Sequence, residues 1–212
     1  MRILIIGASG GIGLAAVERA LADGHEVRAF ARGADRIALT DPGLEPVCGD
    51  ATDPAAVRAA LEGVGSVIQA LGVAPGLGRT LAPVSLFSES TRVLIPEMER
   101  AGVRRLVAVT GFGAGDSRGA LSPPECLAHR LLLGRAYDDK DRQERLIRDS
   151  ALDWLIVRPT ILTNGPGRRR YAVLREPGQW RSGLISRRDV ADFLVREATG
   201  PRLHRETPVL AY

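Results

Sequence analysis

The 212-residue sequence predicts an α/β domain built on a doubly wound parallel sheet, with helices on both faces in three layers. Three observations carry this. An apolar, β-branched run at the start breaks at a glycine-rich turn, short apolar runs alternate with helix-patterned segments from there on, and cap or turn residues stand at the junctions. Met1 to Ile6 reads as the first strand, and Gly7-Ala8-Ser9-Gly10-Gly11-Ile12-Gly13 as the loop that opens a helix, Leu14 to Ala22, ended by Asp23-Gly24-His25. Glu26 to Phe30 is the second strand and completes a βαβ unit within about thirty residues. Glu45 to Cys48 is a short third strand, and Thr52 or Asp53 caps a helix from Pro54 to Leu61, with proline in its first turn. Ser66 to Ala70 is the fourth strand, ending in Leu71-Gly72. A long helix from about Val84 to Ala101, interrupted at Pro96, leads to a fifth strand, Arg105 to Thr110.

The segment Gly111 to Pro124 is rich in glycine, serine and proline and reads as a functional loop at the carboxyl end of that strand. Two helical stretches follow, Glu125 to Gly134 and Tyr137 to Ser150, then a sixth strand, Trp154 to Val157, stopped by Pro159. The tail predicts a loop from Leu162 to Gly183, a helix capped near Ser186 or Asp189 and running to Ala198, and a short strand, Thr207 to Leu210. Residues 1–212 thus form one domain, its substrate side built from 111–136 and 162–186, with ligands expected at the carboxyl ends of the strands.

The glycine loop has a physical reading. A pyrophosphate needs backbone N–H groups aimed at it with no Cβ in the way: Gly7 permits the tight turn, Gly10 the close approach, and Gly13 the packing of helix on strand, while the helix N-terminus adds partial positive charge. The alternative is a glycine-rich strand-to-helix turn with no ligand, and the βαβ context favours the dinucleotide. Lys140 is the sole lysine, and Leu14 follows the last glycine where a nucleotide-hydrolysing P-loop needs lysine, so that class is excluded. The second strand runs out at Ala29-Phe30-Ala31-Arg32, where an NAD site places an acid for the ribose hydroxyls. Arginine there attracts a 2′-phosphate through charge-assisted bonds, so the sequence predicts NADP over NAD. Arg36 is either a second phosphate ligand or a solvated loop arginine.

Composition bounds the rest. A chain of this length buries roughly 70% of the surface its unfolded form exposes, so no disulfide or metal staple is required. Cys48 and Cys126 stand far apart and outside ligand spacing, which fits inert thiols in a reducing compartment. Gly7 stops the first apolar run too early for a signal-peptide core, and no later stretch reaches membrane-spanning length; a soluble cytoplasmic protein is expected. A net charge of +4, from 29 basic against 25 interspersed acidic residues, is small for a nucleic-acid surface. Arg168-Arg169-Arg170 is the local exception, an anion-contacting loop or a solvated turn. No HExxH motif or Cys/His cluster appears, so no metal is expected.

The residues resemble a family, the atypical short-chain dehydrogenase/reductases with an NAD(P)-binding Rossmann domain, and within it the biliverdin reductase B (flavin reductase) type and the NmrA-like group. The resemblance covers almost the whole chain. It rests on the Gly7 to Gly13 loop, Arg32 with Arg36, Gly49-Asp50, Ala70-Leu71-Gly72, Val109-Thr110, Asp139-Lys140, Ser150 to Pro159, and Ile185-Ser186-Arg-Arg-Asp189-Val-Ala-Asp192. It implies that Gly7, Ser9, Gly10, Gly11 and Ile12 wrap the pyrophosphate of NADP(H) and that Arg32 and Arg36 hold its 2′-phosphate. It further implies that Asp50 and Ala51 edge the adenine, that Ala70, Leu71 and Gly72 line the ribose, and that Pro159, Thr160, Ile161 and Leu162 flank the nicotinamide.

Catalysis departs from the family pattern. Typical members use a Tyr-x-x-x-Lys helix, in which lysine lowers the tyrosine pKa for proton donation. Here Asp141 stands four residues after Tyr137, and Lys140 only three, so Lys140 is expected on a face rotated from the one required. Lys140 then contacts the cofactor ribose or forms a surface salt bridge. Thr110 remains as a hydroxyl donor near the nicotinamide, Phe112 offers a face to a flat acceptor, and His129 lies in the lid region. The expected function is an NADPH-dependent oxidoreductase using little protein acid catalysis, which suits flavin, quinone or tetrapyrrole acceptors. The alternative is a non-catalytic NADP(H)-binding sensor or assembly factor. The partner is a small molecule, and the chain is a monomer or a dimer.

Overall fold

A computed structural model describes residues 1–72 and 84–212, and no side chain within 128–133. The strands are β1 (Arg2–Ile6), β2 (Glu26–Ala31), β3 (Leu44–Cys48), β4 (Ser66–Gln69), β5 (Arg105–Val109), β6 (Asp153–Pro159), β7 (Ile161–Thr163), β8 (Ala172–Leu174), β9 (Leu184–Ser186) and β10 (Val209–Ala211). The helices are α1 (Gly11–Ala22), α2 (Pro54–Ala60), α3 (Leu86–Ala101), α4 (Pro123–Arg148) and α5 (Arg187–Thr199). The main sheet runs β3-β2-β1-β4-β5-β6-β10-β8, all parallel except β8, which pairs antiparallel with β10. This is the doubly wound Rossmann order, and its direction reverses between β1 and β4.

Alternation along the strands builds two cores. Ile3 and Ile5 of β1 face α1 and α5, among Ala16, Val17, Val190 and Leu194, while Leu4 and Ile6 face α2 and α3, among Val57, Leu61, Leu94 and Met98. Because both faces are covered, the central strands are apolar at nearly every position, which is why β1 reads as a continuous run rather than an alternating one.

Several boundaries differ from expectation, for identifiable reasons. Helix α1 begins at Gly11, and α3 starts at Leu86 and passes through Pro96 without stopping. Pro96 is exposed, so the carbonyl that loses its N–H partner is open to water. The two helical stretches expected after Pro124 are one helix, α4, opened by a Ser122–Glu125 capping box. Gly134 does not break it: a mid-helix glycine costs only about 1 kcal/mol, and the buried residues Asp139, Gln143, Glu144 and Ile147 fix the helix through its packing. Strand β6 extends to Pro159, which lacks an N–H but sits at the strand end, where its carbonyl accepts from the Phe112 N–H at 3.0 Å. The expected loop from Leu162 to Gly183 contains the end of β7 and all of β8, and β9 begins directly after it. Three-residue strands carry too little periodicity to be read. Asp53 caps α2 and Ser186 caps α5.

Among the described residues no helix is long and apolar enough to cross a membrane, and no group of three His, Cys, Asp or Glu side chains is placed to hold a metal.

Candidate functional site

The carboxyl ends of β1 and β4 meet at the point where strand order reverses. Gly7 adopts φ +86°, and its N–H donates to the Phe30 carbonyl at 2.9 Å, closing the turn off β1. A Cβ at Gly7 would lie 2.7 Å from the Ala70 carbonyl oxygen, so the left-handed turn and the approach of β4 both demand glycine. A Cβ at Gly13 would lie 2.1 Å from the Gly7 carbonyl oxygen, which is the helix-on-strand contact expected there. At Gly10 and Gly11 the position of a Cβ meets nothing within 4 Å, and Ser9, Gly10 and Gly11 are exposed. Gly10 is the N-cap of α1 and offers no side-chain cap, so the first-turn N–H groups of α1 face open space. Ile12 is turned into the core beneath them. This open cradle, with uncapped amides at a helix N-terminus and no side chain over them, has the donors a pyrophosphate needs.

One edge of the cradle is formed by the ends of β2 and β3. Arg32 is exposed, and its charge reaches Asp50. The Asp50 carboxyl is held below the usual carboxylate range chiefly by the Thr52 N–H at 2.9 Å and the Thr52 hydroxyl at 2.7 Å, with Arg32 adding to them. Arg36 folds over Gly33, where a Cβ would come within 2.6 Å of its guanidinium. Ala51 differs from expectation: its methyl is buried in the core on the α2 side, because the turn after Asp50 points it inward, and only its backbone borders the edge. On the other side Ala70 is buried with its carbonyl toward Gly7, Leu71 packs partly on the core, and Gly72 is exposed.

The ends of β5 and β6 lie against α4, and here the structure corrects the sequence reading. Thr110 is 2% exposed and its hydroxyl donates to Glu144 Oε1 at 2.8 Å, so its proton is committed to a buried carboxylate. Strand alternation turns the side chain toward α4 and not toward the strand end. The Lys140 ammonium instead donates to the Thr110 carbonyl at 2.5 Å. It lies 5.2 Å from the Phe87 ring centroid and 5.0 Å from that of Tyr137. Lys140 is therefore no surface salt bridge, and burial pushes its pKa down to about 8, with Glu144 drawing it partly back. Residues three apart on a helix share a face as closely as residues four apart, so the expected rotation of Lys140 away from Tyr137 does not occur. The Tyr137 hydroxyl sits over Gly111, where a Cβ would be 2.4 Å from it, and burial pushes the phenol up to about 12.

Phe112 offers no open face: it is 7% exposed and packs with Leu174, Val209 and Ala211 in a third core cluster. The 111–124 segment is tethered, with Gly115 N–H donating to Asp141 Oδ1 at 2.7 Å, Arg118 pairing with Asp141 at 2.7 Å, and the Gly113 N–H donating to the Ser117 hydroxyl at 2.9 Å. Two arginines of the Arg168–Arg170 cluster have partners. Arg168 stacks on Tyr212 with 5.3 Å to the ring, and Arg169 meets Asp192 at 3.6 Å, while the amides of both donate to Asp189. The His129 side chain lies outside the described residues. Thr160 donates its hydroxyl to the Leu210 carbonyl at 3.0 Å, Ile161 is exposed, and Leu162 packs on the core.

Sequence reasoning missed the fully buried Arg158, bound to Glu144 at 2.9 and 2.5 Å and to Asp116 at 2.6 Å. It also missed the layer in which Gln69 bonds Ser90, Thr91 and Gln143, and in which Asp139 accepts from the first amides of α3. The only signal was polar residues placed on otherwise apolar faces.

The fold and the cradle define a dinucleotide-binding α/β domain of the Rossmann type. The chain belongs to the NAD(P)H-binding family, whose model matches residues 7–201. Among solved structures it is similar to ChuY, an anaerobillin reductase from Escherichia coli O157:H7, with 30% identity and TM-score 0.82, covering 100% of this chain and 97% of that one. Among curated proteins it is 31% identical over 204 residues to (4-alkanoyl-5-oxo-2,5-dihydrofuran-3-yl)methyl phosphate reductase of Streptomyces griseus, covering 93% of this chain and 63% of that one. It is 26% identical over 215 residues to the photosystem II assembly factor Ycf39 of Synechocystis, covering 98% and 61%. The chain spans less than two thirds of the length of the curated relatives it matches.

Proposed function

We propose that this chain binds NADP(H) and reduces a small, flat conjugated acceptor of the flavin, quinone or tetrapyrrole type. The observation that carries the cofactor choice is Arg32, exposed at the end of β2 beside the glycine cradle, where an NAD site needs an acid. In this reading Gly7 shapes the turn, its own N–H being held by the Phe30 carbonyl, while the amides of Ser9, Gly10, Gly11 and Ile12 hold the pyrophosphate, Arg32 with Arg36 the 2′-phosphate, and Asp50 with the Ala51 backbone the adenine edge. Ala70, Leu71 and Gly72 line the ribose, and Pro159, Thr160, Ile161 and Leu162 border the nicotinamide. Bound NADPH supplies a hydride. The protein contributes orientation, with Lys140 holding positive charge at the end of β5, and the balancing proton comes from water. That assignment follows from the site chemistry, since the Thr110 hydroxyl is committed to Glu144 and the Tyr137 phenol is a weak acid. The reductases among the relatives support an enzyme, and the similarity to an anaerobillin reductase supports a flat acceptor.

The test is NADPH oxidation by purified protein with FMN, menadione or biliverdin, where turnover above background with at least one is expected. Tight NADPH binding with no oxidation across the panel would favour the second reading, an NADP(H)-binding sensor or assembly factor, toward which the similarity to Ycf39 points.

A further inference from the structure

Strands β7 and β9 form a separate parallel ribbon just past the end of β6, in register Ile161 with Leu184, Leu162 with Ile185, and Thr163 with Ser186. Residues in register share a face and neighbours alternate, so the ribbon has an inner and an outer side. Ile185 is fully buried and Leu162 packs on the core of α1 and α5, which assigns that pair to the inner side. Ile161 and Leu184 therefore stand together on the outer side, 65% and 52% exposed. Tyr212, 38% exposed, adjoins them, its N–H donating to the Leu184 carbonyl at 3.0 Å. Three of the five exposed large hydrophobic residues among those described are thus gathered at one place. Scattered exposed apolar residues need no explanation, but a contiguous set does.

The rim of this shelf is cationic. Arg168 lies over the Tyr212 ring at 5.3 Å, and Arg187, next to Ser186, donates to Asn164 Oδ1 at 2.6 Å. Asp189 is buried behind the shelf and accepts from the Tyr212 hydroxyl and the amides of Arg168 and Arg169, so it presents no outward negative charge, and the carboxylate of Glu125 is engaged by the Ser122 and Ser182 side chains. The shelf is continuous with Pro159–Thr160 at the same end of the sheet as the Gly7–Ala70 cradle, and ligands of open α/β sheets gather at that end.

From this juxtaposition we infer that Ile161 and Leu184 form the platform on which the flat apolar body of the acceptor lies, with Arg168 and Arg187 meeting an anionic substituent at its rim. The inference rests on the reductase reading for the word acceptor, but its test is binding and not turnover. FMN and riboflavin share a ring system and differ by a phosphate, so titrating each into protein saturated with NADP⁺, followed by flavin fluorescence, separates the two parts of the proposal. The double variant Ile161→Ser/Leu184→Ser is expected to weaken both flavins at least tenfold while the far-UV circular dichroism spectrum and the urea unfolding midpoint, which report an intact fold, stay close to those of the parent. Arg168→Gln/Arg187→Gln is expected to weaken FMN several-fold and riboflavin little. The inference is overturned if the parent binds neither flavin, or if the serine variant holds both within twofold. It is equally overturned if that variant converts a parent dimer to monomer with flavin affinity unchanged, which would make the shelf a subunit contact. A parent that binds FMN on this shelf yet oxidises NADPH with none of FMN, menadione and biliverdin sinks the reductase reading alone.

Discussion

Gly13 presses on Gly7 so closely that a Cβ at position 13 would lie 2.1 Å from the Gly7 carbonyl oxygen. Both partners in that clash are backbone, held by β1 and by the first turn of α1, so neither rotates out of the way. Gly13→Ala is expected to lower unfolding free energy by about 1–3 kcal/mol, the range for overpacking, and to weaken NADPH binding because the turn must shift. Urea titration and cofactor fluorescence check both. A variant with parental stability would show that α1 slides freely along β1.

The buried ion pair of Glu144 and Arg158 offers a second prediction. Glu144→Ala leaves a guanidinium without its main carboxylate in a site that is 0% exposed, which is expected to cost about 3–5 kcal/mol. Replacing both, as Glu144→Leu with Arg158→Met, is expected to recover most of that loss, since no unpaired charge remains. Chemical denaturation of the single and double variants measures it, and a double variant no better than the single would contradict the account.

Lys140 links stability to pH. Its pKa falls from 10.5 to about 8 on folding, so between those values the unfolded chain holds a proton that the folded chain has released. Stability contributed by this group therefore rises as pH increases from about 8 toward 10.5, by on the order of 1–3 kcal/mol. Lys140→Met is expected to flatten that rise. An identical slope in parent and variant between pH 8 and 10 would remove Lys140 as its source.

Tyr137 sits near Lys140, yet burial raises its phenol to about 12 and the ammonium is hydrogen-bonded to the Thr110 carbonyl. In the proposed reaction Tyr137→Phe should leave kcat within a few fold of the parent. A general acid contributes on the order of a hundredfold or more, so a loss that large would identify Tyr137 as the proton donor.

The sequence made the left half of the sheet legible, because the strand-forming run of β1 and the glycines at 7 and 13 each allow few conformations. It did not make the right half equally so. Thr110 and Phe112 sit where a strand end meets a loop, and their direction depends on α4 and on β10, which are distant in sequence; one was expected to donate outward and both turned in. Spacing of three along α4 brings Lys140 to Tyr137 as spacing of four would, so the broken Tyr-x-x-x-Lys pattern does not separate the two side chains. The pair of Arg158 and Glu144 could not be read at all, since nothing local marks which acid an inward arginine will meet.

The central claim is that this cradle selects NADP(H) through Arg32, and equilibrium titration of the protein with NADPH and NADH tests it most directly. One charge-assisted contact is worth roughly 1.5–3 kcal/mol, so NADPH should bind at least about tenfold tighter than NADH, and Arg32→Ala should erase most of the difference. Equal affinities for the two nucleotides in the unaltered protein would contradict it.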